Sequence, residues 1–537
     1  MLRRIFSSLF ILFIVLALYQ CGRRGTPTGG PKDVDPPQLE RTEPENMTTN
    51  FKAQRIRLYF DEYIKLVDIQ DQLIVSPPLQ YTPEISPQGG TSKFVEIKIK
   101  DTLKPNTTYT FNFGQSIVDN NEGNPASFLT YVFSTGDYID SLTVSGVVKD
   151  AFNKKADEFI SVMLYEIDSS YTDSTLYQKP PNYITNTLDS TVIFTLRNLK
   201  EGRYAMFAVK DEAKNNIFDQ NADKIAFIPD TISLPTDSTY LLTLFKEIPD
   251  YKISVPSFAA KNKIVFGYYG DGKHIEIEPL TRLPDTIRST VRKERDQDTL
   301  NYWFTPFETD SIVFTVINER EKIIDTFTVK SRKVGLDSLR LKPTQQGSLN
   351  FYDPFNIEAT TPIAAIDTSK FSLMNKDSVP VNFKIFLDSV ENQVMVDFPR
   401  APNEIYKMQI LPDAITDFFS KTNDTLSYSL STKSLADYGN LQLTLNGAIT
   451  YPIIVQLTDE KGTTIRESFA AEPQEFAFDA LEPGKYQIRV IFDTNANEKW
   501  DTGNYLKKIQ PERVSYYPDV IDMRPNWEFP VTFTLIE

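Results

Sequence analysis

Hydrophobic and polar residues alternate along most of the chain in short runs. Residues 55–60, 94–99 and 311–316 place an apolar side chain at every second position. A period of two is typical of strands that bury one face. Thr, Val, Ile, Tyr and Phe are abundant, which also favours strands over helices. The pattern therefore predicts an all-β protein.

One block of sequence returns 282 residues later. Residues 199–211 read LKEGRYAMFAVKD and residues 481–493 read LEPGKYQIRVIFD, with Leu, Gly, Tyr and Asp at matching positions. A second block, 104–136, returns at an offset of 297. Matches of this length predict a two-domain unit that occurs twice, with one further domain between the copies.

Two resemblances indicate the type of these domains. Residues 103–109, 117–124 and 131–136 read LKPNTTY, IVDNNEGN and YVFSTG, which resembles the bacterial Ig-like domain first described in S-layer proteins. That resemblance implies an antiparallel β-sandwich and a spacer or display role. The repeated Gly-x-Tyr strands resemble transthyretin-like and prealbumin-like domains of exported bacterial proteins. The expected fold is therefore a tandem row of Ig-like and transthyretin-like β-sandwiches, arranged as a rod.

The predicted organisation has seven segments. They are 1–20, a lipoprotein signal peptide; 21–37, a flexible Gly/Pro-rich tether; 38–137, a bacterial Ig-like domain; 138–248, a transthyretin-like β-sandwich; 249–335, a β-sandwich of unassigned type; 336–435, a second Ig-like domain; and 436–537, a second transthyretin-like β-sandwich.

The N-terminal segment has the form of a secretory signal. Arg3 and Arg4 precede a mostly apolar run, 5–18, which is shorter than the roughly 20 residues that span a bilayer. Residues 18–21, LYQC, resemble the lipobox of bacterial lipoproteins, with Gln20 at a position where such departures are tolerated in Bacteroidetes. The resemblance implies that Cys21 carries lipid and anchors the protein to the outer membrane. The alternative is an uncleaved anchor or an unmodified cysteine.

Composition and net charge limit the classes of molecule that the protein is expected to bind. Cys21 is the only cysteine, so no disulfide forms within the chain. The formal charge is −15 and becomes −17 when Arg3 and Arg4 leave with the signal. A surface this acidic repels nucleic acid and anionic lipid headgroups. Arg23 and Arg24 stand where many surface lipoproteins of Bacteroidetes carry acidic residues, which favours the periplasmic face over the cell surface without deciding between them.

The sequence offers no residues for most catalytic chemistry. His274 is the only histidine, and its place beside a Gly turn predicts a solvated residue. Cys21 is assigned to lipid, and no nucleophile elbow or phosphate-binding glycine loop occurs. The expectation is a non-enzymatic protein without a cofactor.

One turn has the spacing of calcium ligands. Asp493, Asn495, Asn497 and Asp501 place side-chain oxygens at positions 1, 3, 5 and 9 of a loop. Position 6 is Glu498, where an EF-hand needs Gly. Asn and Asp in such a turn can also bond their own backbone. Calcium binding and a purely structural turn both remain open.

A short motif recurs thirteen times: Asp, then Ser or Thr, then an aliphatic residue or Thr. It resembles the O-glycosylation acceptor motif of exported Bacteroidetes proteins. The resemblance implies acceptor hydroxyls at positions such as Thr102, Ser141 and Ser311.

Two functional hypotheses follow. In the first, the chain is a structural or interaction subunit of an outer-membrane assembly or transport complex, with an outer-membrane protein as its partner. In the second, it is a glycan-binding surface lipoprotein that supports nutrient uptake. The second needs an exposed aromatic platform, and two coplanar aromatic rings on the surface would favour it. Trp303, Trp500 and Trp527 are the candidates, although each is expected to be buried.

Overall fold

The structure is a computed structural model that describes residues 33–187, 192–295, 297–447 and 449–536. The chain forms two compact units. Of the described residues, the first unit holds those up to Thr143 and two short segments, Tyr183–Thr185 and Leu196–Lys200. The second holds Val144–Asn182, Asn186–Thr195 and the remainder from Glu201. No helix among the described residues is long and apolar enough to cross a membrane.

The first sandwich, within the first unit, has one sheet in the order β1-β2-β5-β4, with β7 beside β2, and a second in the order β3-β6-β8. Phe111, Phe113 and Phe133 lie in the core between them. The elements are β1 Leu39–Glu43, β2 Arg55–Leu66, α1 Ile69–Gln72, β3 Ile74–Ser76, β4 Glu84–Ser86, β5 Ser92–Lys98, β6 Thr108–Asn112, β7 Ile117–Asp119 and β8 Thr130–Ser134.

The second sandwich follows. In the second unit β10 pairs with β13, β13 also pairs with β14 and β15, and β9 pairs with β16 in parallel. The elements are β9 Leu142–Asp150, β10 Ser161–Glu166, a 3-10 helix Thr175–Tyr177, β11 Tyr183–Asn186, β12 Ile193–Leu199, β13 Gly202–Lys210, β14 Lys224–Phe227, β15 Ile232–Leu234 and β16 Thr239–Leu244.

The third sandwich has sheets in the orders β17-β19-β22-β21, with β18 beside β19, and β20-β23-β24. Every second residue of β23 is buried, as the alternating pattern predicts. The elements are β17 Lys252–Ile253, β18 Ser257–Ala260, β19 Lys263–Tyr269, β20 Ile275–Pro279, β21 Ser289–Lys293, β22 Thr299–Phe304, β23 Ser311–Asn318 and β24 Ile323–Lys330.

The fourth sandwich has sheets in the orders β25-β27-β31-β30 and β26-β34-β32-β29, and a two-stranded ribbon β28-β33. The elements are β25 Leu341–Pro343, β26 Gly347–Ser348, β27 Phe355–Ala359, β28 Ile363–Ile366, a 3-10 helix Thr368–Lys370, β29 Phe371–Met374, β30 Lys384–Asp388, β31 Gln393–Asp397, β32 Ile405–Ile410, β33 Ile415–Asp417 and β34 Leu426–Ser431.

The fifth sandwich has sheets in the orders β38-β35-β42 and β37-β36-β39-β40, with β41 beside β39. The elements are a 3-10 helix Leu435–Asp437, β35 Gly439–Gly447, β36 Ile453–Thr458, β37 Thr464–Ala470, β38 Phe476–Leu481, β39 Gly484–Phe492, β40 Val514–Tyr516, β41 Ile521–Met523 and β42 Glu528–Leu535.

The all-β fold and the repeat are both confirmed. The parallel pair β35-β42 and the strands around β39 repeat the pairings of β9-β16 and β13. At the matching ends, Gly202 lies opposite Leu234 and Gly484 lies opposite Met523. The first and fourth sandwiches share the orders β1-β2-β5-β4 and β25-β27-β31-β30. The proposed domain boundaries stay predictions.

The expected rod is wrong for the second unit. Side chains of the second and fifth sandwiches contact each other directly, although the contacting residues are about 300 or more positions apart in sequence. A row in which each domain contacts only its sequence neighbours does not allow this. The second unit therefore brings the two related sandwiches together.

Candidate functional site: the contact between the repeats

The sheet that contains β36 and β39 is buried on both faces. Ile453, Val455 and Leu457 belong to the core of the fifth sandwich. Their neighbours Ile454 and Gln456, whose side chains point to the opposite face, are also buried. A strand that is buried on both sides is expected only where a second layer covers its outer face.

The second sandwich has the same property at the matching strands. Phe207 and Val209 on β13 and Met163 and Tyr165 on β10 occupy one face of the sheet, and all four are buried. Their neighbours Met206 and Ala208, on the opposite face, are also buried. In the sequence these strands read as nearly continuous apolar runs, which is the signal for burial on both faces.

Tyr505 of the fifth sandwich inserts into the second sandwich. Its ring contacts Phe207 edge-on with a centroid distance of 5.0 Å, Phe227 at 5.4 Å and Tyr177 at 6.5 Å. The side chain is 1% exposed. Edge-to-face packing of this kind is favourable beyond the area that it buries.

The hydroxyl of Tyr505 lies in a small polar cluster with Asp173, Tyr171 and Lys508. It donates to Asp173 Oδ1 at 3.1 Å and lies 3.4 Å from the hydroxyl of Tyr171. Lys508 Nζ donates to the same Asp173 oxygen at 2.9 Å and lies 4.0 Å from the centroid of the Tyr505 ring. The hydrogen bonds from Lys508 and Tyr505 hold the pKa of Asp173 below its usual value, and burial raises the pKa of Tyr505.

The backbone around Tyr505 is also tied to the second sandwich. Its amide N–H donates to the buried carboxylate of Glu247. A Cβ atom at Gly503 would lie 2.6 Å from the ring of Phe245 and 2.7 Å from the carbonyl oxygen of Ile509. A side chain at position 503 would therefore press on the Phe245 ring of the second sandwich and on the backbone of its own loop at Ile509.

A second aromatic residue makes the opposite insertion. Phe152 of the second sandwich lies under Arg489 of the fifth, with the guanidinium carbon 3.9 Å from the ring centroid. Trp500 packs on the same ring at 4.7 Å, and the hydroxyl of Tyr516 donates to the Phe152 carbonyl at 2.5 Å. Arg489 occupies the position that matches Phe207 at the offset of 282. Equivalent positions of the two copies, Phe207 and Arg489, thus each contact an aromatic ring of the other sandwich, although the contacting rings, Tyr505 and Phe152, are not equivalent at this offset.

The loop that carries Tyr505 differs from its counterpart in one carboxylate. In the second sandwich the buried Asp223 closes the equivalent loop. Its two oxygens accept from the amides of Glu212 at 2.9 Å and Asp219 at 2.8 Å. Burial raises the pKa of Asp223.

In the fifth sandwich the same two amides bind a different residue. Thr494 and Asp501 match Glu212 and Asp219 at the offset of 282, and their amides donate to Glu512 at 2.7 and 3.0 Å. The position that matches Asp223 is Tyr505. Because Glu512 accepts these two amides, the residue at position 505 does not have to do so. Its aromatic ring can therefore point away from the loop and into the second sandwich.

The four proposed calcium ligands come together as a hydrogen-bonded turn. Asp493 accepts from the amides of Asn497 at 3.1 Å and Glu498 at 2.8 Å. The side-chain amides of Asn495 and Asn497 donate to Asp501 Oδ2 at 2.5 and 2.7 Å. In this arrangement a cation would have to displace N–H donors from Asp493 and Asp501.

The second sandwich forms the same turn without the second ligand. Position 3 there is Ala213, yet Asp211 still accepts from the amide of Asn216 at 2.6 Å, as Asp493 does from the matching Glu498. The geometry of the turn therefore does not depend on a full set of oxygen ligands. Across the described ranges, no group of three or more His, Cys, Asp or Glu side chains is placed to hold a metal ion.

The remaining predicted sites differ in exposure. Thr102 and Ser141 are exposed, whereas Ser311 is half-buried as the first residue of β23. His274 is exposed, as predicted. Cys21 lies outside the described residues, so its lipidation stays a prediction.

The tryptophans have three different environments. Trp303 is 4% exposed, as predicted, and Trp500 is half-buried in the contact described above. Burial of Trp527 was the wrong prediction, because this residue is 42% exposed. Its ring lies 6.4 Å from that of Phe529 with an interplanar angle of 7°, and the guanidinium of Arg524 is 5.0 Å from the Trp527 centroid.

Fold and geometry define a tandem β-sandwich protein whose two related sandwiches contact each other. Residues 33–135 match the family profile described as the bacterial Ig-like domain. No curated protein matches the chain in sequence.

Solved structures with weak similarity include an S-layer protein, a pilin subunit and a protein of a glucan utilization locus. The S-layer protein SbsC is 12% identical, with 90% of this chain and 67% of that chain covered and a TM-score of 0.14. The major pilin subunit BcpA of Bacillus cereus is 12% identical over 74% and 99%, with a TM-score of 0.13. The mixed-linkage glucan protein SGBP-B of Bacteroides ovatus is 10% identical over 72% and 92%, with a TM-score of 0.16. Similarities at this level carry no functional argument.

Proposed function

We propose that the chain is a non-enzymatic, lipid-anchored outer-membrane lipoprotein that acts as a structural or interaction subunit of an outer-membrane assembly or transport complex. The observation that supports this most is the reciprocal insertion of Tyr505 and Phe152, which holds two related sandwiches in a fixed arrangement. Buried aromatic rings and a shared carboxylate stabilise an arrangement of domains, which is what a subunit needs in order to present constant surfaces to a partner.

The Ig-like match and the sequence supply the other support. A bacterial Ig-like domain at residues 33–135 fits a spacer or display role. The resemblance of residues 18–21 to a lipobox supports a lipid on Cys21, next to the Gly/Pro-rich tether. Several acyl chains on one cysteine hold a protein on a membrane almost permanently.

Co-purification tests this function directly. After gentle detergent extraction, the tagged full chain is expected to elute together with an integral outer-membrane protein. The Cys21→Ser variant should move from the membrane fraction to the soluble fraction and lose that partner. Recovery of the unaltered chain as a free monomer would contradict the complex, and an unchanged membrane fraction for Cys21→Ser would contradict the anchor.

Glycan binding is the second candidate, and the Trp527 surface favours it. Trp527 is 42% exposed just before β42, and its ring lies near-parallel to that of Phe529, which is half-buried and packs against the core of the fifth sandwich. Flat apolar ring faces are suited to the C–H faces of sugars, and the neighbouring Arg524 offers hydrogen-bond donors.

If this surface binds glycan, replacing Trp527 with alanine should weaken binding at least tenfold in affinity electrophoresis against soluble polysaccharides. The Trp527 ring is the exposed aromatic face at this surface, so its removal takes away the main apolar contact with a sugar. Tyr352→Ala is the matched control, because Tyr352 is an exposed aromatic residue at 61% in another sandwich. Equal binding by both variants, or no retention of the unaltered chain by any polysaccharide, would remove this candidate.

A further inference from the structure

An edge strand of the fourth sandwich exposes apolar side chains. β30 lies at the end of the order β25-β27-β31-β30, so one side of its backbone has no neighbouring strand in that sheet. Phe386 is 52% exposed and Leu387 is 40% exposed, and Val390 at the tip of the following turn is 65% exposed. Proteins normally protect such edges with charge, proline or short length, because an unpaired edge recruits other strands.

The matching strand of the first sandwich has this protection. β4 occupies the same end of the order β1-β2-β5-β4 but has three residues instead of five. Its one apolar residue, Ile85, is buried, and Glu84 forms ion pairs with Lys98 at 3.2 Å and Lys100 at 2.8 Å. Pro83 and Pro87 flank it. The shared fold therefore does not require an exposed apolar strand at this end of the sheet. Of the first and fourth sandwiches, only the fourth has one there, β30.

The sequence of β30 is complementary to itself when it is reversed. The strand reads Lys-Ile-Phe-Leu-Asp from 384 to 388. In an antiparallel pair of two copies centred on Phe386, Lys384 of each copy lies opposite Asp388 of the other. Lys384, Phe386 and Asp388 share one face of the strand, so two ion pairs would flank a Phe–Phe pair.

The opposite face is complementary as well. Ile385 packs against the core of the fourth sandwich and, in the same register, lies opposite Leu387 of the other copy. Pairing would thus cover the exposed Leu387 and continue the apolar layer across both copies. Opposite charges and apolar pairs across adjacent strands each favour the paired state.

We propose that β30 pairs antiparallel with β30 of a second copy of this chain, which forms a two-fold dimer with Phe386 at the axis. A closed two-fold arrangement uses the same strand from both copies and leaves neither edge free. A contact of five residues from each copy is small, so the dimer is expected to be weak and to form at micromolar concentrations.

Sedimentation velocity of the full chain over a range of concentrations tests the dimer. Phe386→Lys places two like charges at the axis and should weaken dimerisation at least tenfold. Lys384→Glu places two carboxylates opposite each other at both ends and should act in the same direction. Ile405→Lys is the control, because Ile405 is 44% exposed on the other sheet of the same sandwich. Circular dichroism verifies that each variant is folded.

A cross-link tests the register. In a full chain that carries Cys21→Ser, the substitution Phe386→Cys introduces the only thiol. Directly opposed residues of an antiparallel pair have Cα atoms about 4.5–5.5 Å apart, which a disulfide can span. Mild oxidation should therefore give covalent dimers for Phe386→Cys and not for Ile405→Cys.

A chain that stays monomeric at all concentrations overturns the proposal. So does a Phe386→Lys variant that loses only an outer-membrane partner, which would assign the edge to a strand of another protein.

Discussion

Replacing Tyr505 with alanine will detach the fifth sandwich from the second and lower the free energy of unfolding of the paired repeats by about 3–5 kcal/mol. The ring is 1% exposed and is surrounded by Phe207, Phe227 and Tyr177. Truncation leaves a cavity that rigid strands on both sides cannot fill. It also leaves Asp173 with one donor fewer.

Two further variants separate the contribution of the Tyr505 hydroxyl from that of its ring and control for a substitution in the same loop. Tyr505→Phe keeps the ring and loses the hydroxyl bond to Asp173 and the longer contact with the Tyr171 hydroxyl, so a loss of about 1 kcal/mol is expected. Leu506→Ala is the matched control, because Leu506 is adjacent and 53% exposed, and its loss should stay within about 0.5 kcal/mol. Urea unfolding gives the free energies. Hydrogen exchange in the segment around Asp173 and Tyr177 should rise for Tyr505→Ala alone. Equal stability of Tyr505→Ala and Leu506→Ala would show that the insertion does not hold the sandwiches together.

The strands and the repeat could be predicted because their signals are local or periodic. Alternation in residues 311–316 reflects one buried face, and β23 has that burial pattern. The offset of 282 aligned Gly202 with Gly484, and these two residues lie at the same pairing positions in their sheets. Neither inference requires knowledge of which distant segments meet.

The contact between the repeats could not be predicted from the same patterns. The apolar runs around Phe207 and Ile491 indicate that both faces of a strand are buried, but they do not name the layer that covers the second face. Tyr505 aligns with Asp223, and only the structure shows that Glu512 has taken over the role of that carboxylate. For Trp527 the local pattern predicted burial wrongly. The residue continues the inward-facing positions of β42, but it lies beyond the end of the core and is exposed.

Replacing Arg489 with alanine is expected to cost about 3 kcal/mol of the free energy of unfolding, next in size to the loss of Tyr505. The guanidinium is 2% exposed and donates to Gln456 Oε1 at 2.6 Å and to the hydroxyl of Tyr516 at 3.3 Å. Truncation removes the Arg489 donor from the buried Gln456 Oε1, removes one of the two bonds of the Tyr516 hydroxyl, and uncovers the ring of Phe152. Arg489→Met keeps most of the side-chain volume and should recover part of the loss.

A double-mutant cycle isolates the part of this loss that crosses between the sandwiches. Phe152→Ala alone should cost about 2 kcal/mol, and the two substitutions together should cost less than their sum by about 1–2 kcal/mol, as expected for a desolvated cation–π contact. Urea unfolding followed by tryptophan fluorescence is suitable, because Trp500 packs on the same Phe152 ring. Additive losses would place the effect of Arg489 entirely within the fifth sandwich. A second cycle combines Phe152→Ala with Tyr505→Phe. If Arg489 and Phe152 show the expected coupling and Phe152 and Tyr505 show none, the two insertions stabilise the contact independently.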